Sequence, residues 1–265
     1  MNKTYKGAVF FDIDGTLVDE RLGITKPTDS TKAAIAALKA NGYMTGIATG
    51  RAKCYVPDMG IDFDCYVTCN GAVAEINDEI IVNEYIDKDK LEQLVHYLDK
   101  NNFGYNIEAR DICYYGERTK EKMFEMLTHF NISTDKFRPL KSTAGLKVNK
   151  AIVSFDTDEQ FEKLISTFSD DFLITRHHTN NSGDVSIFGV TKATGIEAVI
   201  KNAGIDVSDT YAFGDDSNDL EMLTFVGCGI AMTPHSALLD DVAKIVTCGV
   251  DGDGITKALI ELGMI

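Results

Sequence analysis

The 265-residue chain reads as an α/β protein, a three-layer core around a parallel sheet with an α+β domain inserted into it. Three features point there. Short apolar runs alternate with helical patterns at both ends of the chain, the rhythm of βα units. The first apolar run, Ala8-Val9-Phe10-Phe11, ends on two carboxylates, Asp12 and Asp14, followed by Gly15 and Thr16. In open parallel sheets, ligands bind at the carboxyl ends of strands. Between residues 83 and 188 the rhythm changes to closely spaced strands with helices among them, which marks an α+β module.

The elements follow in order. A strand from Ala8 to Asp12 precedes a helix from about Thr28 to Asn41, whose Ala34, Ile35 and Leu38 have helical spacing. Pro27 suits its start and Gly42 its C-cap. A strand from Tyr43 to Ala48, a short helix and a strand from Cys65 to Thr68 come next. Asn70-Gly71 reads as a turn, and Ala72 to Ile76 with Glu79 to Val82 as a hairpin around Asn77-Asp78. In the middle region we expect a helix from Lys88 to Lys100, strands at Tyr105 to Ala109 and Ile112 to Tyr115, and a helix from Thr119 to Phe130. Residues 131 to 149 carry no clear pattern. Then come a strand at Ala151 to Phe155, a helix at Asp158 to Phe168, and strands at Phe172 to Thr175 and Asp184 to Phe188.

On that last strand, alternation sends Val185 and Ile187 to one face and Asp184 and Ser186 to the other. The polar pair is expected either to face a cleft or to meet solvent. The βα rhythm resumes with a helix at Lys192 to Asn202, a strand at Thr210 to Phe213 and a helix at Asn218 to Phe225. Strands at Cys228 to Ala231 and Lys244 to Val246 precede a last helix at Gly254 to Leu262. The expected division is a core of residues 1–82 and 189–265 around an insertion of residues 83–188.

Composition bounds the function. A hydrophobic fraction of 44% and a charged fraction of 25% are those of an ordinary globular protein. The formal net charge of −15 repels nucleic acid and anionic membranes. A phosphorylated ligand would need local compensation, from a cation and from Arg51 and Lys192. Every apolar run is too short to span a bilayer, and residues 1–7 hold no apolar signal core. A cytoplasmic protein with a small-molecule partner, and neither a nucleic-acid nor a membrane partner, is expected. The oligomeric state is open, and a monomer is compatible with the sequence. The six cysteines, Cys54, Cys65, Cys69, Cys113, Cys228 and Cys248, form no CxxC pair, so reduced thiols are expected. Cys65 and Cys69 would be half a zinc site, but no second half accompanies them. His96, His129, His177, His178 and His235 show no metal-ligand spacing and receive no role.

Four pieces carry chemistry. They are Asp12-Ile13-Asp14-Gly15-Thr16, then Ala48-Thr49-Gly50-Arg51, then Lys192 at a helix start, and Gly214-Asp215-Asp216-Ser217-Asn218-Asp219 after a strand. Buried carboxylates need a partner, a hydrogen bond or a metal. Each piece alone has an ordinary reading: an acidic turn, an N-capping Thr49, a solvated Lys192, acids complementing a helix dipole. Together and in this order, the four resemble the signature of the haloacid dehalogenase superfamily. The insertion lies between the second and third pieces and is α+β, which resembles the C2-capped IIB (Cof-type) branch. Asn70-Gly71-Ala72 and Asp251-Gly252-Asp253-Gly254-Ile255 also look like this branch.

The resemblance implies a Rossmann-like core with a cap, and a Mg2+-dependent phosphatase acting through an aspartyl-phosphate. It implies Asp12 as nucleophile, and Asp14 as the acid and base on the leaving oxygen and the water. The metal ligands would be Asp12, the Asp14 carbonyl and Asp215, with Asp219 as a further ligand or behind them. Thr49 and Lys192 would serve the transferring phosphoryl group, with Gly50, Arg51, Asn70, Gly71 and Asn218 binding phosphate or substrate. The substrate would be a small phosphorylated metabolite such as a sugar phosphate. Two departures stand out: Lys192-Ala193 where Lys-Gly is usual, and Ala231-Met232-Thr233-Pro234-His235 where Ala-Met-Gly-Asn-Ala is usual. A phosphomutase, a phospho-receiver-like domain and a binding protein without activity are the alternatives.

Overall fold

The computed structural model describes residues 4–129, 132–177 and 180–265. His178 and the Phe130 end of one expected helix lie outside them. The chain forms two compact units. The first holds residues 1–50, 57–82 and 191–265, and the second holds 51–56 and 83–190.

The first unit is built on an eight-stranded sheet. Its strands are β1 (Gly7–Phe11), β2 (Tyr43–Ala48), β3 (Cys65–Thr68), β4 (Val73–Ile76) and β5 (Glu79–Asn83) from the first half. β12 (Thr210–Gly214), β13 (Cys228–Met232) and β14 (Ile245–Thr247) come from the second. They lie in the order β14-β13-β12-β1-β2-β3-β4-β5. β14 through β3 run parallel and β4 turns antiparallel. β1 is central and wholly apolar before its acids, as a strand covered on both faces must be. Ala8 and Phe10 pack with Ile196 and Val199 of α5 (Lys192–Ala203) and Met222 of α6 (Leu220–Phe225). Phe11 turns to the other face and stacks on Phe213 at 5.3 Å.

On α1 (Asp29–Ala40) the Thr28 hydroxyl accepts from the Thr31 amide, so Thr28 is the cap and Pro27 precedes it. The 77–78 turn has positive φ at both central residues, 49° and 64°, as a tight type I′ hairpin requires. The fourth motif opens on a single 3-10 turn, Ser217–Asp219, rather than directly on the α-helix expected from Asn218.

The second unit carries a six-stranded sheet. Its elements are α2 (Lys88–Lys100), β6 (Gly104–Glu108), β7 (Cys113–Tyr115), α3 (Lys120–His129), β8 (Phe137–Pro139), β9 (Lys150–Ser154), α4 (Asp158–Phe168), β10 (Phe172–Arg176) and β11 (Ser182–Ile187). The order is β10-β11-β9-β6-β7-β8. β8 falls in the stretch without a sequence pattern. It pairs with β7 over three residues, too few for a period to show.

One sheet face is apolar: Tyr105, Ile107, Ala151, Val153 and Val185 pack on Leu91, Leu94 and Leu98 of α2 and Phe161 and Leu164 of α4. The opposite face is polar yet buried. It carries Asn106, Glu108, Lys150, Ser154, Ser182, Asp184 and Ser186, each under 9% exposed. Neither Asp184 nor Ser186 meets solvent, so the solvent-facing alternative does not hold. The units differ from the expected division at two joints. Arg51–Val56 groups with the second unit because the Cys54 amide donates to the Arg110 carbonyl (2.9 Å) and the Tyr55 hydroxyl to Glu108 (2.6 Å). Gly189 and Val190 stay with β11, where the Val190 amide donates to the Ile187 carbonyl at 3.1 Å.

Candidate active site

The two central strands β1 and β12 pair in parallel, Ala8 opposite Thr210 through Phe11 opposite Phe213, so their carboxyl ends lie side by side. The Asp12 amide donates to the Phe213 carbonyl at 3.0 Å, which fixes the first acid beside the turn bearing the last acids. One oxygen from each of Asp12, Asp215 and Asp219 lies within 4.8 Å of the others. Gly15 makes this approach possible. Its φ is +83°, and a Cβ there would sit 2.0 Å from an Asp215 oxygen.

Lys192 holds the cluster. Its ammonium donates to Asp12 Oδ1 at 2.8 Å and to Asp219 Oδ1 at 2.7 Å, and the residue is 1% exposed. The solvated-surface reading of Lys192 is therefore wrong. Burial alone would lower its pKa, but Asp12 and Asp219 outweigh burial and hold it above the ordinary lysine value. Gly71 explains how the lysine arrives there. A Cβ on Gly71 would lie 1.9 Å from the Thr191 carbonyl, so the 69–71 turn packs directly on the start of α5. The turn that the sequence suggested is thus a seat for the lysine helix.

Asp219 is fully committed. Its second oxygen accepts from the Asp215 and Asp216 amides at 2.9 and 3.1 Å. Asp216 accepts from the Ser217 amide and caps the 3-10 turn. Burial pushes Asp12 up to about 7, against the pull of Lys192 and with help from Asp219 and Asp14. Burial likewise raises Asp215 well above its ordinary value, reinforced by Asp12 and Asp219. Three carboxylates and one ammonium leave surplus negative charge in a buried place. A set of hard oxygen donors with surplus charge fits Mg2+.

Thr49 is 1% exposed at the end of β2. The N-cap position of the next helical turn, Lys53–Tyr55, is Ala52 rather than Thr49. The Thr49 carbonyl accepts from the Asn70 amide at 3.1 Å, which joins the second motif to the Asn70 turn. Asn70 is buried with φ 53°, Gly50 is half-buried, and Asn218 sits half-buried in the 3-10 turn. Asp14 lies in the turn after β1 and bridges to Val18. Arg51 is 7% exposed and groups with the second unit.

Two contributors escaped the sequence reading. The Thr16 hydroxyl donates to Asp215 Oδ1 at 3.2 Å, and the Ser236 amide donates to the Asp215 carbonyl at 2.8 Å. Thr16 was visible in the first motif. Ser236 was not, because only the fold brings its loop to Asp215.

The family model for haloacid dehalogenase-like hydrolases matches residues 9–259. The chain belongs to the haloacid dehalogenase-like hydrolases. A Bacillus subtilis protein with the provisional name of a phosphatase is 31% identical over 97% of this chain and 98% of its own. The 5-amino-6-(5-phospho-D-ribitylamino)uracil phosphatase of the same organism is 26% identical, over 96% of each chain. Among solved structures, a subclass IIB sugar phosphatase of this superfamily superposes with a TM-score of 0.84 at 28% identity, covering 98% of this chain and 100% of its own. The hydrolase shares that fold, a parallel α/β core with an inserted α+β unit. Among the described residues, no helix is long and apolar enough to cross a membrane.

Proposed function

We propose that this hydrolase is a Mg2+-dependent phosphatase that cleaves a small phosphorylated metabolite through an aspartyl-phosphate on Asp12. The observation that carries the reading is the buried Lys192 ammonium, shared between Asp12 and Asp219 inside the acid cluster. A fully buried lysine clamped on a strand-end carboxylate has a use where negative charge must gather on a transferring group. The relatives and the solved neighbour named as phosphatases support it.

Asp12, the Asp14 carbonyl and Asp215 would hold Mg2+, which supplies charge neutralisation for the phosphoryl oxygens when bound. Asp219, with both oxygens engaged, keeps Lys192 and the 215–216 backbone in place. An Asp12 oxygen attacks phosphorus as the bond to the leaving oxygen breaks, and Asp14 gives that oxygen its proton. Asp14 then takes a proton from water, which attacks phosphorus, releases phosphate and returns Asp12 as a carboxylate. Lys192 neutralises charge on Asp12 and on the phosphoryl group, and Thr49 with the Gly50 amide holds one of its oxygens. Asn70 and Asn218 orient that group, and Gly71 seats the helix that delivers Lys192.

The substrate class proposed is a sugar phosphate, by similarity to the subclass IIB neighbour, and the proposed compartment is the cytoplasm. The test is a panel of phosphomonoesters with Mg2+, read by phosphate release and by the product's structure. Free phosphate from sugar phosphates supports the proposal. A positional isomer without phosphate release identifies a mutase, and no turnover of any ester sinks the enzyme reading.

A further inference from the structure

Within the second unit, the sulfurs of Cys54 and Cys113 lie 3.5 Å apart. Neither belongs to the acid cluster. The approach is built into the backbone. Cys113 starts β7, with its amide on the Lys136 carbonyl at 3.0 Å and its position opposite Glu108 of β6. Cys54 is tied to the same hairpin, since its amide donates to the Arg110 carbonyl at 2.9 Å. Tyr55 adds a second tether through Glu108 and packs on Phe137 at 5.8 Å. Both thiols are therefore held by the β6–β7 hairpin, and their separation does not depend on a free loop. A disulfide needs about 2.05 Å between sulfurs, a change within reach of side-chain rotation.

We propose that Cys54 and Cys113 are a redox pair that closes reversibly into a disulfide when the protein meets a peroxide. Cys54 is half-buried and Cys113 is buried, so the oxidant reaches Cys54 first. The Cys54 sulfur attacks one peroxide oxygen, the O–O bond breaks, and a sulfenic acid forms with release of one water. The Cys113 sulfur then attacks the Cys54 sulfur, the S–O bond breaks, and the hydroxyl leaves as a second water. Two thiols and one hydrogen peroxide thus give one disulfide and two waters. Intracellular disulfides of this kind are transient and redox-sensing rather than structural. The link fastens Arg51–Val56 to the hairpin, and that segment continues directly from Thr49 and Gly50. The bond is read by mass, so its test does not depend on the phosphatase reading.

The reduced full-length protein is treated with a small excess of hydrogen peroxide, alkylated, and analysed by intact mass and peptide mapping. The expected product is lighter by two hydrogens and carries a Cys54–Cys113 link. It melts about 5 °C or more above the reduced form, because the link closes a long loop, and dithiothreitol restores the starting mass and melting temperature. Cys54→Ser and Cys113→Ser abolish the product, while Cys248→Ser, at an exposed thiol, retains it. A link mapped between other cysteines overturns the proposal. So does a sulfinic acid on Cys54 with Cys113 still open to alkylation, or a −2 hydrogen product that persists in Cys54→Ser.

Discussion

Mg2+ should stabilise this protein in a strongly pH-dependent way. In the cation-free site, burial raises Asp12 from 3.8 to about 7. That rise disfavours the ionised form by roughly 4 kcal/mol, and Asp215 is pushed in the same direction. The folded state therefore holds these protons more tightly than the unfolded chain does. Their contribution to stability is fully present below about pH 4 and is lost as pH climbs through about 7. The metal-free protein should lose stability between pH 5.5 and 8, and Mg2+ should restore it by taking the proton's place. Below about pH 7, displacing one proton costs roughly tenfold in apparent affinity per pH unit. With Mg2+ at about 100 times its dissociation constant at pH 8, the gain is about 2.7 kcal/mol. For a chain of this size that is about 5–8 °C in melting temperature. Thermal melts with MgCl2 or EDTA across this range read the effect, with Asp215→Asn as control. The shift should shrink toward zero near pH 5.5 and be absent in the variant. An equal shift at every pH, or a shift kept by Asp215→Asn, would show that Mg2+ does not displace these protons. Unfolding by EDTA alone would make the ion structural.

Three further outcomes follow from the packing. Lys192→Met should lower turnover by roughly a hundred- to thousandfold with the far-ultraviolet circular dichroism unchanged; near-normal turnover would remove the lysine from the chemistry. Gly71→Ala forces a Cβ to within 1.9 Å of the Thr191 carbonyl at a residue with φ +98°. It should displace the start of α5 and lower kcat more than it raises KM for an aryl phosphate, and kinetics equal to wild type would show that the turn does not seat the lysine. In the second unit, Lys150 donates to Asp184 at 2.7 Å with both side chains buried, and His177 lies 3.3 Å from the same carboxylate. Asp184→Ala removes the closer of two carboxylates on the buried Lys150 ammonium, Glu108 remaining at 3.5 Å, and should cost about 3 kcal/mol in urea unfolding, whereas unchanged stability would leave the pair without structural weight.

Much of this was legible in the sequence because the relevant signals are local. The β1 run and its acids, the apolar spacing of α1, and the Asn77-Asp78 turn each depend on a few neighbouring residues. The four motifs were readable as a set because the parallel sheet gathers strand ends in one place. What escaped was set by distant contacts. β8 is too short to show a period. Arg51–Val56 leaves the first unit because Tyr55 finds Glu108, 53 residues away. Asp184 and Ser186 were correctly separated from Val185 by alternation. Yet the pairing of Asp184 with Lys150 depends on β9 lying beside β11, which no local pattern states. Ser236 meets Asp215 only because β13 and β12 are neighbours.

Asp12 as the nucleophile can be trapped by acid-quenching the enzyme during turnover of a good substrate and mapping phosphorylated peptides by mass spectrometry. The expected result is one phosphoryl group on Asp12, acid-stable and labile to hydroxylamine, absent in Asp12→Asn together with turnover. A phosphoryl group on another residue, or Asp12→Asn releasing phosphate at the wild-type rate, would contradict it.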